Sequence, residues 1–173
     1  GKFSFFSGGN EVLKKAASRK EARLENGNKI VFGNVLPGIN KQMTVYNQAV
    51  KYDYVIADAS ALAETFDYMI VEETIELPRG FSIAEESKAG SKTNRLVVSD
   101  QHGNEALVFQ QPIITDAAAI NPKFRHAFKP YEGTFGLMKI ADNKYKIQIR
   151  IAGSWLESAD RVFPITIDPV VTV

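Results

Sequence analysis

From residue 29 onward, apolar residues recur at every second position and polar residues fill the gaps. The clearest stretch is Lys144–Ile151. Tyr145, Ile147, Ile149 and Ile151 fall on one side, and Lys144, Lys146, Gln148 and Arg150 on the other. A strand with one dry and one wet face belongs to an antiparallel sheet packed on a core. Tyr68 to Leu77 repeats the pattern with Met69, Val71, Ile75 and Leu77, interrupted by Glu73. A carboxylate in an apolar row reads as lying near a sheet edge or paired with a Lys or Arg. Met43 to Ile56 alternates on either side of Asn47-Gln48. Arg95–Ser99 and Glu105–Gln110 flank Asp100-Gln101-His102-Gly103-Asn104, and Thr134–Ile140 and Lys144–Ile151 flank Asp142-Asn143. Both arrangements read as hairpins. In Phe163-Pro164-Ile165-Thr166-Ile167, alternation sends Phe163, Ile165 and Ile167 to one face. Pro164 has no N–H for a ladder, so this strand is expected at a sheet edge. Short strands at near-regular spacing, separated by turn residues, predict an all-β fold, an antiparallel β-sandwich.

Residues 11–24 allow two readings. Leu13, Ala16, Ala17 and Leu24 share a face at helical periodicity, with Asn10 as a cap and Asn26-Gly27 as a stop, which predicts one short N-terminal helix. Alternatively, a strand ends at Leu24 and Asn26-Gly27 is a hairpin turn into Lys29-Ile30-Val31-Phe32. Residues 29–173 form the expected sandwich module. Residues 1–28 are either an N-terminal extension or part of the same domain.

Composition narrows the function classes. The 173 residues carry 21 Lys/Arg against 20 Asp/Glu, a net charge of +1. That balance gives no general attraction to nucleic acid or an anionic membrane surface. The absence of cysteine excludes disulfides, thiolate metal sites and a cysteine nucleophile. No apolar run approaches the roughly 20 residues of a membrane-spanning helix. Gly1-Lys2-Phe3-Ser4-Phe5-Phe6 is too short an apolar run for a signal peptide. The strand-like ending through Val173 suggests a piece of something longer. Residues 51–90 hold nine Asp/Glu and three Lys/Arg, which reads as a solvated strand face and loop ahead of an acidic binding face.

Candidate chemistry is sparse. His102 sits at a hairpin tip beside Asp100 and Asn104, where a calcium loop would need more carboxylates than Asp100 and Glu105. Asp and Asn at turns ordinarily bond their own backbone. His126 lies in Lys123-Phe124-Arg125-His126-Ala127-Phe128-Lys129, a weak match to the interleaving of cations and rings that binds single-stranded nucleic acid. No nucleophile elbow or phosphate-binding glycine pattern occurs. Glu72 and Glu73 are adjacent on a strand and so point to opposite faces. No catalytic residue, metal site or cofactor is therefore expected. Tyr46, Tyr52, Tyr54, Phe66 and Tyr68 form a local aromatic concentration, which reads first as cross-strand packing. Exposed on one face, Tyr46, Tyr52, Tyr54 and Tyr68 would instead stack on sugars, which makes a carbohydrate-binding module the alternative and a glycan the alternative partner. Trp155, just after a strand, is expected to plug one end of the core.

Four separated segments carry a resemblance. They are Phe32-Gly33-Asn34-Val35-Leu36-Pro37-Gly38-Ile39-Asn40, Ala49-Val50-Lys51-Tyr52-Asp53-Tyr54-Val55-Ile56, Gln110-Gln111-Pro112-Ile113-Ile114-Thr115-Asp116-Ala117-Ala118-Ala119, and Trp155-Leu156 followed by Phe163-Pro164-Ile165-Thr166-Ile167-Asp168-Pro169. In this order the chain resembles a β-rich module of large secreted bacterial proteins, including wall-associated and YD-repeat (Rhs-like) proteins and surface proteins with DNRLRE-type domains. The family pattern has an acid at Asn40, Glu at Tyr52, Pro at Gln110, Gly at Ala119 and Thr at Val170, so this chain departs from it at those positions. The resemblance implies a scaffold or spacer at the cell surface or in the secreted fraction, with neighbouring domains of the same protein as partners and no catalytic residues.

Overall fold

The computed structural model of the protein describes residues 1–18, 21–88, 91–119 and 130–173. Its strands are β1 (Lys2–Ser7), β2 (Asn10–Ala16), β3 (Ala22–Glu25), β4 (Lys29–Leu36), β5 (Ile39–Val45), β6 (Ala49–Ile56), β7 (Tyr68–Glu76), β8 (Ser82–Lys88), β9 (Ser91–Ser99), β10 (Glu105–Phe109), β11 (Ile113–Asp116), β12 (Tyr131–Glu132), β13 (Thr134–Ala141), β14 (Lys144–Ala152), β15 (Ile165–Asp168) and β16 (Val170–Thr172). One helical turn, α1 (Gly153–Leu156), follows β14. Two antiparallel sheets pack face to face. The smaller runs β13-β14-β7-β1-β2, and the larger runs β12-β11-β15-β6-β16-β10-β9-β8, with β5, β4 and β3 added along the other edge of β6.

The short N-terminal helix is not formed. Residues 10–16 are strand β2, paired with β1, and residues 22–25 are β3, paired with β4. The turn chemistry decides this. Asn26 and Gly27 both have positive φ, 52° and 75°, a conformation Asn and Gly adopt readily, and with Asn28 they form the three-residue hairpin loop between Glu25 and Lys29. Leu24, placed on the expected helix face, is exposed, whereas Leu13 packs on the core. The first strand is no loose extension. β1 lies inside the smaller sheet between β7 and β2, with Phe3 and Phe5 fully buried.

β6 organises the larger sheet. β5 runs along one edge, while on the other β15 pairs its second half and β16 its first. The run 165–172 is thus one long strand broken at Pro169, which has no N–H to give. Beyond the break, β11 continues the sheet from β15 and β10 continues it from β16. The edge position expected for Phe163–Ile167 is corrected here. β15 is paired on both sides, Ile165 and Ile167 are fully buried, and Pro164 precedes the strand, where its missing N–H leaves no gap in the ladder.

The core has two parts. One joins Phe3, Phe5, Met69, Val71, Ile149 and Ile151 of the smaller sheet to Ile39, Tyr54, Ile56, Ile114, Ile165 and Ile167 of the larger. The other joins Leu77, Tyr145 and Ile147 to Ile83, Leu96 and Val98. Phe135 packs against both. The alternation in β14 holds throughout: Tyr145, Ile147, Ile149 and Ile151 are all buried. Ile149→Ala should cost about 2 kcal/mol, the low end for such a truncation, because Ile149 also borders the inter-sheet cavity described below and lacks packing partners on that side. Denaturant melts of parent and variant measure this. A loss below about 0.5 kcal/mol is what a surface site gives and would contradict the packing.

Candidate functional site

The four tyrosines do not share a surface. Tyr46 is exposed at the β5–β6 turn. Tyr52 and Tyr54 point inward from β6, and Tyr54 is 2% exposed, its ring edge-on to Phe3 at 5.1 Å. Tyr68 projects from the outer side of β7. Phe6 stacks on it at 4.9 Å, and the Arg150 guanidinium lies 3.8 Å from the ring centroid. Phe66 is buried against Phe5. Trp155 sits on α1, half-buried between Tyr131 and Arg161, with its ring centroid 5.7 Å from that of Tyr131.

What the inward tyrosines do line is a cavity of about 340 Å³ between the sheets, where the two parts of the core separate. Val71, Ile147 and Ile149 face Val50, Tyr52 and Tyr54 across it. On the β10 and β13 side it is bounded by Phe109 and Phe135, whose rings meet edge to face at 6.5 Å. On the β5 side it is bounded by Lys41, whose Nζ donates to Glu73 Oε1 at 2.5 Å. The Lys41 ammonium also lies 5.3 Å and 5.8 Å from the ring centroids of Tyr54 and Tyr52. Glu73 therefore has its basic partner, but it is not near a sheet edge, since β7 lies between β14 and β1. The Tyr54 hydroxyl is buried and makes no hydrogen bond. The sequence marked the rings and Glu73 as unusual. Nothing local could show the cavity, because its walls come from strands distant in the chain.

Of the other acidic residues of 51–90, Asp58 and Asp67 accept from the Ser60 and Gly8 amides, and several more stand in ion pairs. Glu72 meets Lys146 at 3.2 Å, Glu76 meets Lys144 at 3.2 Å, and Glu86 meets Arg95 at 3.0 Å. Asp100 accepts from the His102 and Asn104 amides through Oδ1 and from the Asn104 side chain through Oδ2. These bonds, the Asn104 side chain first, hold its carboxyl below its ordinary range. The loop thus satisfies its own carboxylate. His102 is exposed, touching Gln101. His126 and its basic, Phe-containing segment lie outside the described residues. Among the described residues, no group of three or more His, Cys, Asp or Glu side chains is placed to hold a metal ion. No helix there is long and apolar enough to cross a membrane.

The four segments that carry the family resemblance come together. They supply the second half of β4, the start of β5, then β6, β15 and β11, paired in that order, with the Pro37-Gly38 turn joining the first two, while Trp155-Leu156 lies in α1 against β14 and β7. Gly38 has φ 72°, and a β-carbon there would stand 3.0 Å from that of Ala61, so both conformation and space call for glycine. Lys51 Nζ reaches Asp168 at 2.9 Å and Asp53 at 3.2 Å, tying β6 to β15. Asp116 on β11 pairs with Arg161 at 2.9 Å. Burial alone would lower the Lys51 pKa, but the Asp168 hydrogen bond and the two negative charges outweigh it and hold the amine above its ordinary value. Asp53 is raised, chiefly by burial and then by the charge of Asp168, against the pull of Lys51.

That shift has a sign that can be measured. A carboxyl raised in the folded state binds its proton there before the unfolded chain does. Its ionisation therefore removes stability as pH rises from its ordinary value of 3.8 through the folded value. Run toward acid, protonating Asp53 offsets part of the loss caused by other carboxylates. Asp53→Asn removes that offset. The fall in melting temperature between pH 7 and pH 4 should be steeper in Asp53→Asn than in the parent, and an equal or shallower fall would show that Asp53 is not raised.

Comparison with known protein families, curated proteins and solved structures gave no match for this chain.

Proposed function

We propose that the domain is a non-catalytic structural or display module of a larger secreted or surface-attached bacterial protein, holding neighbouring domains in position. The observation that carries this reading is that the strand-forming parts of the four resembling segments, from the end of β4 through β5, β6 and β15 to β11, are paired in one run of the larger sheet. Their charged residues are engaged in ion pairs: Lys51 with Asp53 and Asp168, and Asp116 with Arg161, which lies between Leu156 and Phe163. Side chains engaged in joining strands fit a scaffold better than a reaction centre. His102, the one described imidazole, is exposed at a hairpin tip, where it touches Gln101. The carbohydrate reading has weaker support, because the rings it needs are divided between the interior, the outer face and a turn.

Brief protease treatment of intact cells of the organism that makes the protein tests the proposal. Peptides spanning Ile151 to Asp168 should be released into the medium as part of a longer polypeptide. Recovery only after lysis, or as a chain of this length alone, would overturn it. A glycan array with the isolated domain and its Tyr46→Ala variant tests the alternative. Saturable binding lost in the variant would favour that reading.

A further inference from the structure

We propose that the folded chain joins Lys51 to Asp168 by a side-chain amide bond, with Asp53 carrying the protons. The register of two strands brings the three groups together. β6 and β15 are antiparallel and pair Tyr54 with Ile167. The next rung sets Asp53 opposite Asp168, on the face turned away from the core. Like charges in that position repel. Lys51 stands two residues before Asp53 and shares its face. Its Nζ lies 2.9 Å from Asp168 Oδ2 and 3.2 Å from Asp53 Oδ1. An amine, an acyl carbon and a second carboxyl are thus in mutual contact.

Two oxygens of the cluster are unsatisfied. Asp53 Oδ1 and Asp168 Oδ1 are both buried and accept no hydrogen bond. Buried polar atoms are ordinarily paired, and an orphan calls for an explanation. As part of a carboxylate, Asp168 Oδ1 carries charge out of water with nothing to bond. As an amide oxygen it is neutral, and its burial costs far less. Forming the amide also removes the negative charge that faces Asp53, which is only 7% exposed.

The chemistry balances within the three side chains. Burial first, and then the Asp168 charge, hold the Asp53 carboxyl above its ordinary range, so that it is the carboxyl readier to keep a proton. Lys51 rests as the ammonium, because Asp168 and Asp53 hold its pKa up. Asp53 passes its proton to Asp168 and takes one from Lys51. The neutral amine then attacks Asp168 Cγ. From the tetrahedral adduct Asp53 removes a second nitrogen proton and gives its own to the departing hydroxyl. The Nζ–Cγ bond forms, the Cγ–Oδ2 bond breaks, and one water leaves. Asp53 ends protonated, as it began. The resting ammonium makes the step slow, but each molecule reacts only once. The β6–β15 ladder holds the reactants together, an arrangement that reaches effective concentrations of about 10⁵–10⁸ M in intramolecular reactions. The bond makes the β6–β15 contact covalent whatever the domain displays, so it stands or falls independently of the display reading.

Intact-mass measurement of the purified protein tests the proposal. The protein should be lighter than its sequence requires by one water. Trypsin does not cut after an acylated Lys51, so the digest should contain a branched product joining residues 42–79 to 162–173. Lys51→Arg and Asp168→Ala should each have the full mass and give no branched product. After cell-free synthesis, followed by intact mass, Asp53→Asn should form the bond about a hundredfold more slowly than the parent, the low end of what a positioned acid–base group contributes. Asp53→Glu, which keeps the carboxyl, should be faster than Asp53→Asn. A parent of full mass overturns the proposal, whatever the variants do. So does a branch at another pair of residues, a missing water that survives Lys51→Arg, or equal rates in the parent and Asp53→Asn. If Asp53→Glu is no faster than Asp53→Asn, the part given to the Asp53 carboxyl is wrong.

Discussion

A chain ending at Asp160 will be unfolded or aggregated, with no cooperative melting transition. The truncation removes β15 and β16, and with them Ile165 and Ile167, both fully buried, and Val171, nearly so. Burying side chains of this kind contributes roughly 1.5–3 kcal/mol each. Three of them approach the entire stability of about 5–15 kcal/mol typical of a domain. The damage extends beyond the lost side chains. β15 is paired on both sides, so its removal separates β11 from β6, while loss of β16 separates β10 from β6. The larger sheet would split at its centre, and the freed strand edges would be open to pairing between molecules. Circular dichroism and calorimetry of the truncated chain decide the matter. A cooperative transition within a few degrees of the parent would mean that the segment is an appendage, and that the pairing described for β15 does not hold the domain together.

How far the sequence anticipated this arrangement depended on whether the deciding physics was local. β14 could be read in full because alternation over nine residues leaves one register that buries Tyr145, Ile147, Ile149 and Ile151. The hairpins at Asp100–Asn104 and Asp142-Asn143 were legible because turn residues impose their geometry on their immediate neighbours. Residues 11–24 were ambiguous because Ala16 and Ala17 mark no face strongly, and β2 needs its partner β1 to define an inward side. The strand character of Lys2–Ser7 depends on β7, more than sixty residues away, so no local pattern revealed that Phe3 and Phe5 would be central. Pro164 misled for a simpler reason: the rule that places proline at an edge applies inside a strand, and this proline stands one residue before β15. The cavity is walled by residues spread from Lys41 to Val171 along the chain, and Lys41 meets Glu73 across 32 residues of sequence. Such pairings appear only once the sheets are assembled.

Arg161→Ala, between the two parts of the fourth resembling segment, should cost roughly 3–5 kcal/mol. Asp116 is one of the few charged groups the fold buries. Its side chain is 1% exposed and that of Arg161 is 7% exposed. Oδ1 accepts from the Ala118 amide at 3.0 Å and so holds the turn after β11, while Oδ2 accepts from the Val162 amide at 3.4 Å and forms an ion pair with Arg161 Nη1 at 2.9 Å without hydrogen-bond geometry. The guanidinium also lies 4.5 Å from the Trp155 ring centroid, joining α1 to the same point. Removing Arg161 leaves a carboxylate out of water with only amide donors, and that uncompensated charge is the main source of the loss. The converse follows from the same argument. In Asp116→Asn with Arg161→Met, no charge remains to be paired, the amide oxygen still accepts from Ala118, and the Met side chain still covers Trp155. The double variant should recover more than half of the stability lost in Arg161→Ala. Urea melts of the parent, the single variant and the double variant give the comparison, and Trp155 emission reports the contact directly. If the double variant is no more stable than Arg161→Ala, the loss comes from packing and not from charge. If Arg161→Ala costs less than about 1 kcal/mol, the pair belongs with weak surface ion pairs and has no part in locking β11 to the final strands.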